Sequence, residues 1–95
     1  MPVPKIQYKL EILSLLWLRG PRNLSDLARV TNYNFVTVKQ LLQELERKEF
    51  VRVYTRTYPS GVRRYTIEIT KRGINLARTY EKLKRKLEGE ERVFD

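Results

Sequence analysis

Neither cysteine nor histidine occurs in this 95-residue chain. The two absences exclude disulfides, the usual zinc ligand sets and the Ser-His and Cys-His nucleophile pairs, and they remove the commonest general base near neutral pH. Carboxylate-only or lysine chemistry stays open in principle, but no cluster of such residues suggests it. The chain is therefore expected to be no enzyme and to carry no cofactor and no metal. Long apolar runs are also missing. The longest is Leu15–Leu18, far short of a membrane span. Lys5 and Lys9 precede an apolar segment in the manner of a signal sequence, but Glu11 interrupts it and no small-residue cleavage site follows. The expectation is a cytoplasmic chain with no membrane association.

What is present describes one small globular domain: 41% hydrophobic and 33% charged residues, enough for a modest core and too few residues for two. The net charge of +9 is unevenly placed. From Val51 to Lys86 there are 11 Lys/Arg against two carboxylates, a net of +9. Residues 1–50 carry +3 and residues 87–95 carry −3. A localised basic field calls for a polyanionic partner, nucleic acid before an anionic membrane surface. A solvated, highly charged surface is the bland alternative.

Hydrophobic periodicity divides the chain. A helix is expected from about Lys5 to the Gly20-Pro21 breaker, with Ile6, Leu10, Leu13 and Trp17 on one stripe and Tyr8, Ile12 and Leu15 on nearly the opposite one. A helix apolar on two faces is buried on two faces, and in so small a domain the second face is expected to meet another subunit. Asn23 with Asp26 resembles a capping box and opens a short helix bearing Leu24, Leu27, Ala28 and Val30. Asn34 caps a third helix, to about Lys48, whose Val38, Leu41, Leu42 and Leu45 face inward. Two short helices joined by a tight turn make a helix-turn-helix pattern. After Phe50 the period drops to 2. Val51–Tyr58 and Arg63–Ile69 read as two strands joined through Tyr58-Pro59-Ser60-Gly61, a hairpin with arginines near its tip. Thr70 caps a last helix over 71–88, with Leu76, Tyr80, Leu83 and Leu87 at coiled-coil spacing. Residues 89–95 read as a disordered acidic tail. The fold class is α+β, mainly α with a small β-hairpin: a DNA-binding unit over 1–70 and a dimerisation helix over 71–88 packed on it.

LSDLARVTNYNFVTVKQLLQELERKEFVRV (residues 24–53) resembles the core of MarR/ArsR-type winged-helix DNA-binding proteins. Leu27-Ala28 stands at the usual Leu-Ala pair of that family, and Val38, Leu42 and Leu45 stand at its recognition-helix core positions. RRYTIEITKRG (residues 63–73) is similar to the segment leaving the wing, Thr70-Lys71-Arg72-Gly73 matching the usual Thr-x-x-Gly ending. Small size, terminal seam and basic charge are most similar to small archaeal and archaeal-virus winged-helix dimers. One departure stands at Glu49, where the family commonly has Gly. If that position needs a left-handed backbone, a side chain there costs about 1 kcal/mol.

The resemblance implies that the third helix enters the major groove of double-stranded DNA. Its outward residues would be Val36, Thr37, Lys39, Gln40 and Gln43, with Phe35 at the boundary. Gln suits adenine, Lys suits guanine, and Val or Thr suits a thymine methyl. Asn34 and Ser25, at helix N-termini, suit phosphate oxygens. Arg56, Arg63 and Arg64 near the hairpin tip, with Tyr58, would reach the backbone or a minor groove, and Arg52 is a weaker candidate. From Asn34 to Glu49 the charges cancel, so attraction must come from the hairpin. Tyr8, Ile12 and Leu15 with Leu76, Tyr80, Leu83 and Leu87 are the expected dimer contacts. The expected function is sequence-specific duplex binding by a homodimeric transcriptional regulator. An architectural, chromatin-type protein of low specificity and a winged helix used only for protein contacts are the alternatives. The aromatic residues are read as core fillers rather than the lining of an effector pocket.

Overall fold

The computed structural model describes residues 5–93. In chain order it contains α1 (Lys5–Arg19), β1 (Arg22–Asn23), α2 (Leu24–Thr31), α3 (Phe35–Arg47), β2 (Val51–Thr57), β3 (Arg63–Ile69) and α4 (Lys71–Val93). Among the described residues no helix is long and apolar enough to cross a membrane.

The caps read from sequence are present. Asn23 accepts from the Asp26 amide at 2.7 Å, and Asn34 accepts from the Val36 amide at 2.8 Å, each satisfying a donor that has no partner within its helix. Between them Asn32 takes a left-handed conformation, φ 58°, and ends α2. Asn tolerates this conformation better than most residues. α3 ends in a Schellman arrangement: the Phe50 amide donates to Leu45 O and the Glu49 amide to Glu46 O. This places Glu49 at φ 63°, the left-handed position at which a glycine is the relaxed choice. Glu49→Gly is therefore expected to raise stability by about 1 kcal/mol, read as a higher urea midpoint at unchanged m.

The Thr-x-x-Gly segment acts as a lock. Thr70 donates its hydroxyl proton to Glu49 O at 2.6 Å and accepts from the Gly73 amide at 3.1 Å, while its own amide donates to Phe50 O at 3.0 Å. A Cβ built on Gly73 would overlap the Phe50 carbonyl oxygen and lie 2.7 Å from Ile69 Cγ1. Only glycine lets α4 begin so close to the α3–β2 junction.

The sheet holds one strand more than the sequence suggested. Arg22 and Asn23 pair with Ile67 and Thr66, giving the antiparallel order β1-β3-β2. A two-residue strand carries no periodicity, which is why it was illegible. β2 and β3 pair from Val51↔Ile69 to Thr57↔Arg63. They turn through Tyr58–Gly61, where the Gly61 amide donates to Tyr58 O and Gly61 takes φ 85°.

The core joins all the helices to the sheet. Ile12, Leu13 and Leu16 of α1 meet Leu27, then Val38, Leu41, Leu42 and Leu45 of α3, then Val51, Ile67 and Ala77. Truncating any of these leucines would cost roughly 2–5 kcal/mol. α1 lies between α3 on one side and α4 on the other, so its second apolar face is covered by its own chain. Ile12 is wholly buried and cannot be a subunit contact, contrary to the sequence expectation; Tyr8 and Leu15 are half-buried against the same core. Ile6, by contrast, is exposed at the end of its stripe.

Polar groups fix the α1–α4 contact. Buried Ser14 hydrogen-bonds Glu81, and Tyr80 donates to Glu11, with Lys84 Nζ 3.7 Å from Glu11 and 3.9 Å from Glu81. Burial and the bond to Glu11 push the Tyr80 phenol above its ordinary range, so it stays a donor. On the other flank Lys9 pairs with Glu44 of α3 at 2.6 Å. α4 continues to Val93, so residues 89–93 are helical rather than a frayed tail; 94–95 lie outside the described residues.

Candidate nucleic-acid interface

α3 has the two faces that its sequence predicts. Val38, Leu41, Leu42 and Leu45 are at most 4% exposed, while Phe35 is 48% and Val36 60% exposed. Asn34, Lys39, Gln40 and Gln43 are exposed beside them. Thr37 departs from expectation and is half-buried, because it sits on the edge of the core stripe, one residue before Val38 and four before Leu41. Asn34 spends its side-chain oxygen on the cap, leaving its amide NH₂ as the group free for a partner. Val36 is the informative residue, since nothing in the domain's own packing requires an apolar side chain there.

β2 and β3 extend from the body as a wing. Its exposed residues include Tyr54, Tyr58, Val62 and Tyr65, so these aromatic side chains are surface groups, and the general reading of the aromatic residues as core fillers fails at Tyr65. Tyr8 and Tyr33 do pack inside, edge to face at 4.3 Å between centroids. Arg56 and Arg64 stand directly opposite each other in register. Their guanidinium carbons lie 5.5 and 5.7 Å from the centre of the Tyr58 ring. Like charges opposed across two strands are destabilising, and the ring face compensates only in part. Arg52 stands opposite Glu68, a carboxylate that would compete with an anion for its charge.

Between α3 and the wing runs an open groove of about 800 Å³. Ser25 at the start of α2, Lys39 and Gln43 of α3, and Arg63 and Arg64 of the wing all line it, over apolar walls from Phe35, Val62 and Tyr65. Its two carboxylates are engaged elsewhere: Asp26 with Arg29 at 2.7 Å, and Glu46 with the Val53 amide at 3.2 Å. Among the described residues none of the wing arginines makes an ion pair. The groove thus brings together part of each expected set, Ser25, Arg63 and Arg64 with Phe35, Lys39 and Gln43, whereas Asn34, Val36, Thr37, Gln40, Arg52, Arg56 and Tyr58 do not line it. That surface can accept a polyanion along the groove while α3 presents donors, acceptors and a methyl-bearing side chain outward. Among the described residues there is no group of acidic side chains able to hold a metal.

Helix, helix-turn-helix, wing and closing helix recur in solved structures. This is the winged-helix fold that MarR-like regulators share. The chain superposes on a transcriptional regulator homologue from Pyrococcus horikoshii with TM-score 0.72 and 24% identity, over 87% of this chain and 82% of that one. It is similar to MepR of Staphylococcus aureus in complex with DNA, with TM-score 0.69 and 22% identity over 87% of this chain and 63% of that one. FabT of Streptococcus pneumoniae, also in complex with DNA, gives TM-score 0.74 and 16% identity over 87% and 57%. The chain therefore spans less than two thirds of MepR and FabT. No protein-family model and no curated protein sequence matches it.

The expected dimer residues are split by the structure. Leu76 is packed against the core and Tyr80 is half-buried against α1, because α4 folds back on its own chain there. Leu83 and Leu87 are 56% and 61% exposed, beyond the reach of that packing.

Proposed function

We propose that the chain is a sequence-specific, duplex-DNA-binding protein of the transcriptional-regulator type that acts as a homodimer. The observation that carries this reading is the single groove that brings Ser25, Lys39, Gln43, Arg63 and Arg64 together. A phosphate backbone lying in it would present base edges to Val36, Gln40 and Gln43 from α3. The chemistry of α3 is that of a reader: Lys39 is its only charge before Glu44, so it contributes little general attraction. The wing is the grip. Regulators of the same fold solved on DNA, MepR and FabT, support the assignment.

For association, Leu83 and Leu87 form the free half of the α4 seam. Pairing two such seams would shield four leucines and hold two α3 helices for half-sites one helical turn or a multiple apart. The test is a mobility-shift titration against mixed-sequence duplexes at low salt, with sedimentation of the free protein. A shifted duplex and a dimeric mass are the expected result. A monomer that shifts no duplex would instead favour a winged helix that contacts only proteins.

A further inference from the structure

α4 carries a second, separate basic surface. Successive helical residues advance by about 100°, so steps of seven, four and three return to one face. Lys71, Arg78, Lys82 and Arg85 follow those steps and form a row about 21 Å long. All four are exposed, and the face around them adds Lys86, Asn75 and Thr79, also exposed. By the same steps half-buried Ile74 and Glu81 stand along its inner edge, and the exposed residues just named include no apolar side chain and no carboxylate. The Glu81 carboxylate is turned inward to Ser14 and Lys84. Gly73 and Ala77 mark the buried side of the helix.

The location sets this face apart from the groove. α4 packs on α1 and on the end of β3, while α3 packs on the other side of α1. The basic row therefore looks away from the groove, and the leucine seam of α4 also leaves it uncovered. A helix turned to water for solubility alone ordinarily mixes both signs. A helix that lies on a membrane needs an apolar face to insert; the exposed large apolar side chains of α4 among the described residues are Leu83 and Leu87, which adjoin only one end of the row and are assigned above to the dimer seam. What remains is a polyanion whose charge is on its own surface.

We infer that the outer face of α4 is a second nucleic-acid-binding surface, engaging the phosphate backbone of a separate duplex while the α3–wing groove holds the first. It reads no sequence, since it consists of cations with one amide and one hydroxyl. The protein is thereby able to bridge two duplex segments. This rests on the DNA-binding reading of the groove for the first duplex.

The experiment uses the full chain, a short duplex tethered to beads and a second, fluorescent duplex in solution at low salt. Wild type should retain the fluorescent duplex. The variant carrying Lys71→Gln, Arg78→Gln, Lys82→Gln and Arg85→Gln should still bind the tethered duplex but capture about tenfold less of the second. Glutamine is a good helix former, so an unchanged melting curve is expected; the pair Lys82→Gln with Arg85→Gln should give an intermediate loss. Wild type that binds the tethered duplex and captures nothing more would overturn the inference. So would a fourfold variant that captures as much as wild type, because bridging would then come from the two grooves of a dimer. Binding to phosphatidylserine vesicles that depends on the four cations, without duplex capture, would assign the face to membranes instead. The groove is checked separately by adding Arg63→Gln and Arg64→Gln, both of which line it, to the fourfold variant. If that protein retains the tethered duplex as well as the fourfold variant does, the groove reading fails while the α4 result stands on its own.

Discussion

Replacing Arg56 and Arg64 together by glutamine is expected to weaken binding to every duplex by roughly fifty-fold at ~0.1 M salt, whatever the sequence. Two phosphate contacts release about two counterions, so the slope of log K against log salt should flatten by about 1.8. The structural basis is the opposed pair itself: two cations face each other across the strands, share the Tyr58 ring and have no ion-pair partner among the described residues. The same pair costs roughly 0.2–1 kcal/mol in the free protein. The double variant should therefore melt no lower than wild type, and slightly higher if the repulsion is at the upper end. Loss of binding together with a lower melting temperature would mean that the arginines hold the wing in shape rather than holding DNA.

Gly73→Ala is expected to destabilise the fold strongly although it adds only one methyl group. The added methyl meets the Phe50 carbonyl oxygen and Ile69 Cγ1 at 2.7 Å, and neither is the free end of a long side chain. Relief requires α4 to move off the α3–β2 junction, which breaks the Thr70 bonds to Glu49 O and to the Gly73 amide. Overpacking of this kind costs about 2–3 kcal/mol. For a domain of this size that is roughly 10–20 °C in Tm. Thermal melting by circular dichroism checks it, and a shift within a few degrees would show that the junction yields more easily than its geometry implies.

These two sites illustrate what was legible in the sequence. The Thr-x-x-Gly segment could be recognised as a pattern, but its reason is spatial: the glycine faces a carbonyl more than twenty positions earlier in the chain. Glu49 was the converse. A left-handed φ is suggested there only by the glycine that the resembled family commonly carries, and the structure supplies the Schellman bonds that impose it. The helix caps at Asn23 and Asn34 and the inward stripe of α3 follow from local chemistry, and local chemistry is what a sequence displays most directly.

Misreadings arose where burial depended on a distant element. Ile12 looked like a subunit contact because a helix apolar on two faces needs two neighbours. The second neighbour proved to be α4 of the same chain. β1 escaped notice because Arg22 and Asn23 owe their strand pairing to β3 and not to their own pattern. Thr37 belongs with the readers by angular position, but that position does not show how far the flanking core spreads, and the residue is half-buried. The groove itself was only partly visible. Its cations and amides could be named individually, but the proximity of Ser25 to Arg63 and Arg64 depends on how α2 sits against the wing.

The division between reader and grip is the central claim, and α3 tests it most directly. Bound sites would be selected from random duplexes with wild type and with Gln40→Ala, and each protein's affinity for its selected site compared with that for random duplex at one stated salt. The account predicts a clear preference for wild type and a changed preferred base with Gln40→Ala. Affinity for random duplex should stay within about threefold, because Gln40 carries no charge and releases no counterion. A wild-type ratio near one, or a Gln40→Ala protein that selects the same site and merely binds every duplex more weakly, would contradict it.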